Sequence, residues 1–173
     1  MPDTNARFEA VVLPHLDSAF GLARWLTGNA TDAEDVVQDA CLRALKGIDG
    51  FCGQNARAWT LAIVRNTAMS WLARNRPRAL VLTDDMEAAE RSSSHAPEGP
   101  NPEDALIAKA DAAALEAAIC ALPLHLRETF VLRDIHEMSY RDIAAMTQVA
   151  VGTVMSRLAR ARASLVQTLG VRA

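Results

Sequence analysis

The sequence has 173 residues, a formal net charge of −3 at pH 7 and 50% hydrophobic residues. This composition is too apolar for a disordered chain, yet no apolar run reaches the roughly 20 residues of a membrane-spanning helix. Aromatic residues make up only 5%, and Ala and Leu are abundant, so packed helices are favoured over β-sheets.

Apolar residues recur at helical spacing and predict two segments before the first loop. In the first, RFEAVVLPHLDSAFGLARWLTG, Pro14 is expected to open a second helical piece or to kink the first, and Gly28 to end it. The second, TDAEDVVQDACLRALKG, carries a capping-box pattern, with Thr31 as the N-cap and Glu34 three positions later. Its acidic first turn and basic last turn match the helix dipole.

A third helix and a linker follow. Asn55 can cap a helix that runs to about Asn75. The next stretch is rich in proline, contains the tract SSSHAPEGP and shows no periodicity, so residues 77–101 are interpreted as a flexible acidic linker. The predicted fold is therefore all-α, with two small helical domains, residues 1–76 and 102–173, on either side of this linker.

The second domain is predicted to begin with two helices. Asn101 is a candidate N-cap, Pro102 suits the first helical position, and this helix is expected to run to about Ala121. Pro123 starts the next helix, LHLRETFVLRDIHEM.

A short helix, a turn and a longer helix complete the second domain. Ser139 is the predicted N-cap of YRDIAAMT, with Asp142 in place of the capping-box Glu. The stretch QVAVG is predicted to be the turn, and the last helix to run from about Thr153 to Leu169 and stop at Gly170. This order is typical of a helix-turn-helix, whose second helix enters the major groove of DNA.

Charge is segregated along the chain. From Gly50 to Thr83 there is no Asp or Glu but there are five arginines, and every charged residue after Asp142 is an arginine. Between these zones, Asp84 to Asp104 holds seven acidic residues. The two acid-free zones are candidate surfaces for a polyanion, although a solvated helix face remains the alternative for any single arginine.

The early turns of the last helix carry the candidate contacts with duplex DNA. Arginine can pair bidentately with guanine, serine and threonine can bind bases or phosphates, and the absence of acid avoids repulsion from phosphate. Arg162 is expected to point elsewhere, toward phosphate or into helix packing. The candidates for base or phosphate contact are Thr153, Met155, Ser156, Arg157 and Arg160.

The block LEAAICALPLHLRETFVLRDIHEMSYRDIAAMTQVAVGTVMSRLARARASL resembles region 4 of extracytoplasmic-function sigma factors. The N-terminal half resembles region 2 of that family in LARWLTGNATDAEDVVQDACLRAL, F-x-G, ARAW and IVRNTAMSWL. The resemblance implies a sigma factor that binds core RNA polymerase and directs promoter-specific initiation. Region 4 would bind the −35 duplex and region 2 a melted −10 element. The resemblance adds Tyr140 and Arg141 to the −35 candidates.

Further roles in region 2 follow only from the resemblance. The second helix would bind the clamp helices of the polymerase, although an ordinary exposed face is the alternative. A pocket with an aromatic and an amide side chain would hold a flipped −10 base, although Phe51 could equally be a core residue. The polymerase contacts would be Asp35, Gln38, Asp39, Leu42 and Arg43. The −10 contacts would be Phe51 and Asn66 at the base, with Arg65 and Arg74 at phosphates.

The resemblance also bears on the linker and on the helix-turn-helix turn. The linker would thread toward the active-site cleft and RNA exit path, with a solvated tether as the alternative. Gln148 stands where the family often has Gly, and Ala150 where it often has Pro. Met155 lies where some relatives carry Lys or Arg, so an apolar side chain replaces one expected polar contact.

Other classes of function find less support. The four histidines are scattered and the three cysteines are odd in number and widely spaced, so we expect reduced thiols, no metal site and no catalytic residues. We also expect no cofactor, no small-molecule substrate, no membrane insertion and a cytoplasmic location, since the N-terminus lacks signal-peptide features. An anti-sigma factor is an expected partner. A dimeric repressor and a protein-binding adaptor are the alternatives, but neither needs both the region 2 block and two basic zones.

Overall fold

The computed structural model describes residues 3–80 and 102–170, and of residues 102–109 only the helical backbone. These residues form helices and contain no strand, which confirms the all-α prediction. The first part holds α1 (Thr4–Val11), α2 (Leu16–Thr27), α3 (Ala30–Gly47) and α4 (Ala56–Asn75). The second holds α5 (Pro102–Ala121), α6 (Leu124–Phe130) with a π-helical extension (Val131–Ile135), α7 (Tyr140–Thr147) and α8 (Val151–Leu169).

Most predicted helix ends are confirmed. Pro14 lies in a short 3₁₀ turn between α1 and α2. Gly28 ends α2 in the left-handed conformation, at φ 86°, which suits a residue without a Cβ atom. The side chain of Asn55 accepts a hydrogen bond from the backbone N–H of Ala58 at 3.0 Å, and that of Ser139 from Asp142 at 3.1 Å.

The predicted cap of α3 is wrong. The helix begins at Ala30, and Asn29 is its N-cap, since the Asn29 side chain accepts from the backbone N–H of Asp32 at 2.8 Å. Thr31 therefore lies inside the first turn and caps nothing. Asn and Thr are both good N-caps, and here the one immediately after the terminating glycine is used.

The start of α8 also differs from the prediction, by two residues. Gln148 adopts the left-handed conformation (φ 57°, ψ 41°) and ends α7, and Ala150 is extended. The turn is therefore Gln148–Ala150, and α8 starts at Val151 rather than near Thr153. This shift moves Val151 from the predicted turn onto the face of the last helix.

Each half of the chain packs around its own group of buried side chains, and the two groups are continuous. In the first half, α2, α3 and α4 pack pairwise around Leu22, Leu26, Val36, Leu61 and Leu72. In the second half, α6 and α7 pack on α8 around Val131, Leu132, Ile143, Val154 and Leu158.

The two helical units also contact each other. α2 packs on α6, an ion pair joins Arg24 to Glu116 at 2.8 Å, and an Arg127 N–H donates to the carbonyl of Trp25 at 3.3 Å. The predicted linker falls mostly outside the described residues, as does the predicted cap Asn101. Its first four residues form a short 3₁₀ turn, Pro77–Leu80.

Candidate DNA-binding and protein-binding surfaces

The helix-turn-helix is built by α7, the turn and α8. The backbone N–H of Val149 donates to the carbonyl of Ala144 at 3.1 Å, which closes the turn. Val154 and Ile143 are fully buried where the two helices pack together. The core therefore fixes which side of α8 faces outward.

The predicted −35 residues lie mainly on the outward side of α7 and α8. Met155 is 53% exposed, and Arg141, Ser156 and Arg160 are exposed as well. Tyr140, Thr153 and Arg157 are half-buried. Within residues 3–80 and 110–170, neither Arg157 nor Arg160 forms an ion pair, so both guanidinium groups can face a polyanion.

Arg162 differs from its neighbours on α8. Its guanidinium donates two hydrogen bonds to the Asp134 carboxylate, at 3.0 Å from Nε and 2.6 Å from a terminal nitrogen. These bonds raise the pKa of Arg162. Of its two expected roles, the structure thus shows the packing role, because Arg162 ties α8 to the segment that follows α6.

Tyr140 has a partner on one face of its ring. The guanidinium of Arg133 lies 4.8 Å from the ring centroid, at the distance of a cation–π contact. Arg133 also donates to the carbonyl of Met138 at 2.8 Å. Arg133 therefore holds the start of α7, and only the remaining surface of Tyr140 is open to DNA.

The second predicted surface is the outward face of α3. Its inward face buries Ala33, Val36, Ala40 and Ala44. The opposite side presents an apolar side chain, Leu42 at 59% exposure, among polar ones, and Arg43 pairs with Asp39 at 3.0 Å. A single exposed leucine is ordinary on a protein surface, so the binding role of this face stays a prediction. Asp35 and Gln38 are exposed members of this face, and Asp39 is half-buried.

The predicted −10 residues are spread along α4 and the loop before it. The ring of Phe51 packs on Trp59 with centroids 5.1 Å apart, so Phe51 is half-buried against an aromatic neighbour. Asn66 is exposed two turns beyond Trp59, about 10 Å along the same side of the helix. Arg74 is exposed, and its Nε donates to the carbonyl of Ser70 at 3.3 Å.

Arg65 is the predicted phosphate contact that the structure does not leave available. Its guanidinium forms an ion pair with Glu128 of α6 and also donates to Asn66 at 3.2 Å. The side chains of Arg65 and Glu128 are 19% and 4% exposed. In this arrangement of the two units, Arg65 therefore binds a carboxylate of the same chain.

Sequence patterns did not indicate the contacts between the two units. Arg57 of α4 donates to the backbone carbonyl of His136. Burial and the nearby charge of Arg57 lower the pKa of His136 to about 4. An added Cβ atom at Gly21 of α2 would lie 3.6 Å from the His136 ring. These partners are far apart in sequence, so no local signal could have paired them.

Two further observations concern metal ions, cysteines and membrane-spanning helices. Among the described residues, no group of three or more His, Cys, Asp or Glu side chains could hold a metal ion, and the three cysteines are free thiols. Within residues 3–80 and 102–170, no helix combines the length and apolar content needed to cross a bilayer.

Family models match both halves of the chain. The model of sigma-70 region 2 matches residues 11–78, and that of sigma-70, region 4 matches residues 112–165. The RNA polymerase sigma-H factor of Pseudomonas aeruginosa is 35% identical over 167 residues, which cover 94% of this chain and 86% of that protein. The chain belongs to the extracytoplasmic-function RNA polymerase sigma factors, since ECF sigma factors of Escherichia coli and Mycolicibacterium smegmatis are 36% and 33% identical to it. This confirms the family predicted from the sequence and, with it, a role in promoter-specific initiation of transcription.

Two other relatives of this sigma factor are named as members of the same family. The ECF RNA polymerase sigma-E factor of Escherichia coli K12 is 36% identical over 137 residues, which cover 78% of this chain and 72% of that protein. The ECF RNA polymerase sigma factor SigE of Mycolicibacterium smegmatis is 33% identical over 159 residues, or 91% of this chain. The match spans 60% of the length of SigE, and the rest of SigE is not aligned with this chain.

Two solved structures share the fold of this sigma factor. The sigma factor RpoE, in complex with the anti-sigma factor NepR from Bartonella quintana, matches with a TM-score of 0.75 and 27% identity, over 96% of this chain and 98% of that one. CnrH, in complex with the cytosolic domain of CnrY, matches with a TM-score of 0.68 and 26% identity, over 99% of this chain and 92% of that one.

Proposed function

We propose that this sigma factor binds core RNA polymerase through the outward face of α3 and recognises the −35 element with α7 and α8. The observation that carries the proposal is the acid-free surface of α8, where the exposed Arg160 and the half-buried Arg157 have no carboxylate partner among the described residues. Non-specific attraction to phosphate needs unpaired positive charge, and base recognition needs side chains that reach the groove.

The melted −10 element would bind to region 2. Phe51 and Asn66 would hold an extruded base, and Arg74 would contact a phosphate. The contact between Phe51 and Trp59 supports this role, because aromatic side chains offer ring faces on which a base can stack. Arg65 would join them only once its ion pair with Glu128 is broken.

An anti-sigma factor is the proposed regulatory partner. RpoE and CnrH are both solved in complex with another protein, and the partner of RpoE is an anti-sigma factor. The exposed Leu42 among polar residues of α3 offers a face that such a partner and the polymerase could both use. The protein would act by binding alone, as a cytoplasmic regulator without catalytic residues, cofactor or small-molecule substrate.

The test is reconstitution with bacterial core RNA polymerase, followed by selection of transcribed promoters from a library. We expect the chain to co-elute with the core enzyme and to start transcription from promoters that share −35 and −10 sequences. The control is core enzyme without the chain. Tight, sequence-specific duplex binding by the isolated chain, without initiation, would instead support a repressor. Binding to core enzyme without promoter selection would support an adaptor.

A further inference from the structure

The first turns of α8 carry an exposed apolar edge. Val151 is 39% exposed and Met155 is 53% exposed. They are four residues apart, so their side chains are neighbours on the helix surface. Because α8 begins at Val151, this residue lies on the helix beside Met155 rather than in the preceding turn.

The direction of this edge follows from the buried stripe of α8. Its inward side is set by Val154, Leu158, Ala161 and Leu165. At about 100° per residue, the side opposite this stripe carries two small residues in the first turns of the helix, Gly152 and Ser156. A Cβ atom added at Gly152 would meet nothing within 4 Å. The helix can therefore approach a groove closely, with Met155 along one edge and Arg160 along the other.

The surroundings of the edge decide what it contacts. Arg141 of α7 and Arg160 on the other edge of α8 are both exposed, and α8 contains no acidic residue. A surface of this charge favours a polyanion over an apolar protein. In the major groove of DNA, the apolar group on a base edge is the C5 methyl of thymine. A methionine side chain is flexible enough to pack on it.

Accordingly, we infer that Met155, with Val151 beside it, contacts a thymine methyl group in the −35 element and makes an A·T pair preferred at that position. This inference rests on the proposed function, because it requires α8 to enter the groove of that element. The inference gives one edge of α8 a preference for thymine. Arginine contacts do not provide this preference, because arginine selects guanine.

The test replaces thymine by deoxyuridine, which pairs identically and lacks only the methyl group. Each thymine of a selected −35 element is replaced in turn, on either strand, and the affinity of the reconstituted holoenzyme is measured at fixed salt. With the wild-type chain, one position should lose about three- to fivefold in affinity, the value of one buried methyl group. With Met155→Ala that loss should vanish, and with Met155→Leu it should remain.

Val166→Ala is the matched control, because Val166 is 45% exposed near the far end of the same helix. It should leave the deoxyuridine effect intact. The inference is overturned if every deoxyuridine is neutral with wild-type holoenzyme, if the loss persists in Met155→Ala, or if the selected element has no A·T pair. Failure of the proposed function looks different, because the holoenzyme would then bind equally well to promoters with a scrambled −35 element.

Discussion

Arg65 of α4 and Glu128 of α6 form an ion pair that joins the two helical units. Both side chains are largely withdrawn from water, so removal of one leaves a partly desolvated charge on the other. Arg65 is also one of the two arginines proposed to contact phosphates of the −10 strand. An acidic side chain of region 4 thus pairs with an arginine of region 2, and this ion pair must break before Arg65 can bind DNA.

Glu128→Gln should free Arg65. The free protein should then bind single-stranded DNA more tightly, and the slope of log affinity against log salt should steepen by about 0.7, the value of one added phosphate contact. Fluorescence anisotropy over a salt series measures both quantities. Asp49→Asn is the control, because it removes the same charge from an exposed carboxylate that pairs with Arg7 of α1. If both variants change equally, net charge explains the effect and the pair does not restrain Arg65.

Holoenzyme formation should depend on the outward face of α3. Asp35→Ala combined with Gln38→Ala should weaken affinity for core polymerase without unfolding the protein, because both side chains are exposed and make no described contact with the core. Competition against the wild-type chain for core enzyme measures the loss. Glu9→Ala, an exposed position on α1, is a control that should not change affinity. Normal affinity of the double variant would remove these residues from the interface.

Gln148→Gly should stabilise the fold. Gln148 is held at φ 57°, where a side chain costs about 1–2 kcal/mol, part of which is offset by the greater chain entropy of glycine. The free energy of unfolding should rise by about 0.5–1 kcal/mol, as measured by urea denaturation. Ala145→Gly, at an exposed position inside α7, should instead lower it by about 1 kcal/mol. A loss of stability in Gln148→Gly would mean that the glutamine side chain supports the turn.

Short-range signals explain what the sequence could predict. Asn55, Ser139 and Gly28 act on residues within a few positions, and their roles are confirmed. The predicted N-cap of α3 is wrong because Asn29 and Thr31 can both cap a helix and lie two residues apart. The pairing of Arg65 with Glu128 spans 63 positions and depends on how the two units pack, which no local pattern encodes.

His136 should make stability depend on acid pH. Its pKa is about 4 in the folded chain, below the ordinary 6.5, so the unfolded chain binds the proton more readily. The contribution of the neutral His136 ring to the free energy of unfolding is fully present above pH 6.5. It is lost as the pH drops toward 4, by at most about 3 kcal/mol. Urea unfolding of wild type and His136→Gln at several pH values separates the contribution of His136 to the pH dependence of stability from that of the carboxylates. Parallel pH profiles for the two proteins would contradict it.

Arg160 and Arg162 should behave differently although both lie on the C-terminal arginine helix. Arg162 is held by Asp134, whereas Arg160 is exposed and lies one turn past Ser156, on the outward side of α8. Beyond roughly 10 Å in 0.1 M salt, the acidic residues elsewhere in the chain are screened, so Arg160 acts locally as a cation despite the net charge of −3.

Replacing an arginine that contacts a base should cost about 1–3 kcal/mol and relax specificity at one position, whereas loss of a phosphate contact weakens all promoters alike. Arg160→Ala should therefore change base preference within the −35 element. Arg162→Ala should affect all promoters equally or none, because it breaks a contact inside region 4. In vitro transcription by reconstituted holoenzyme, from promoters varied singly across that element, separates these outcomes. If Arg160→Ala leaves both activity and base preference unchanged, α8 does not recognise the −35 element through this side chain.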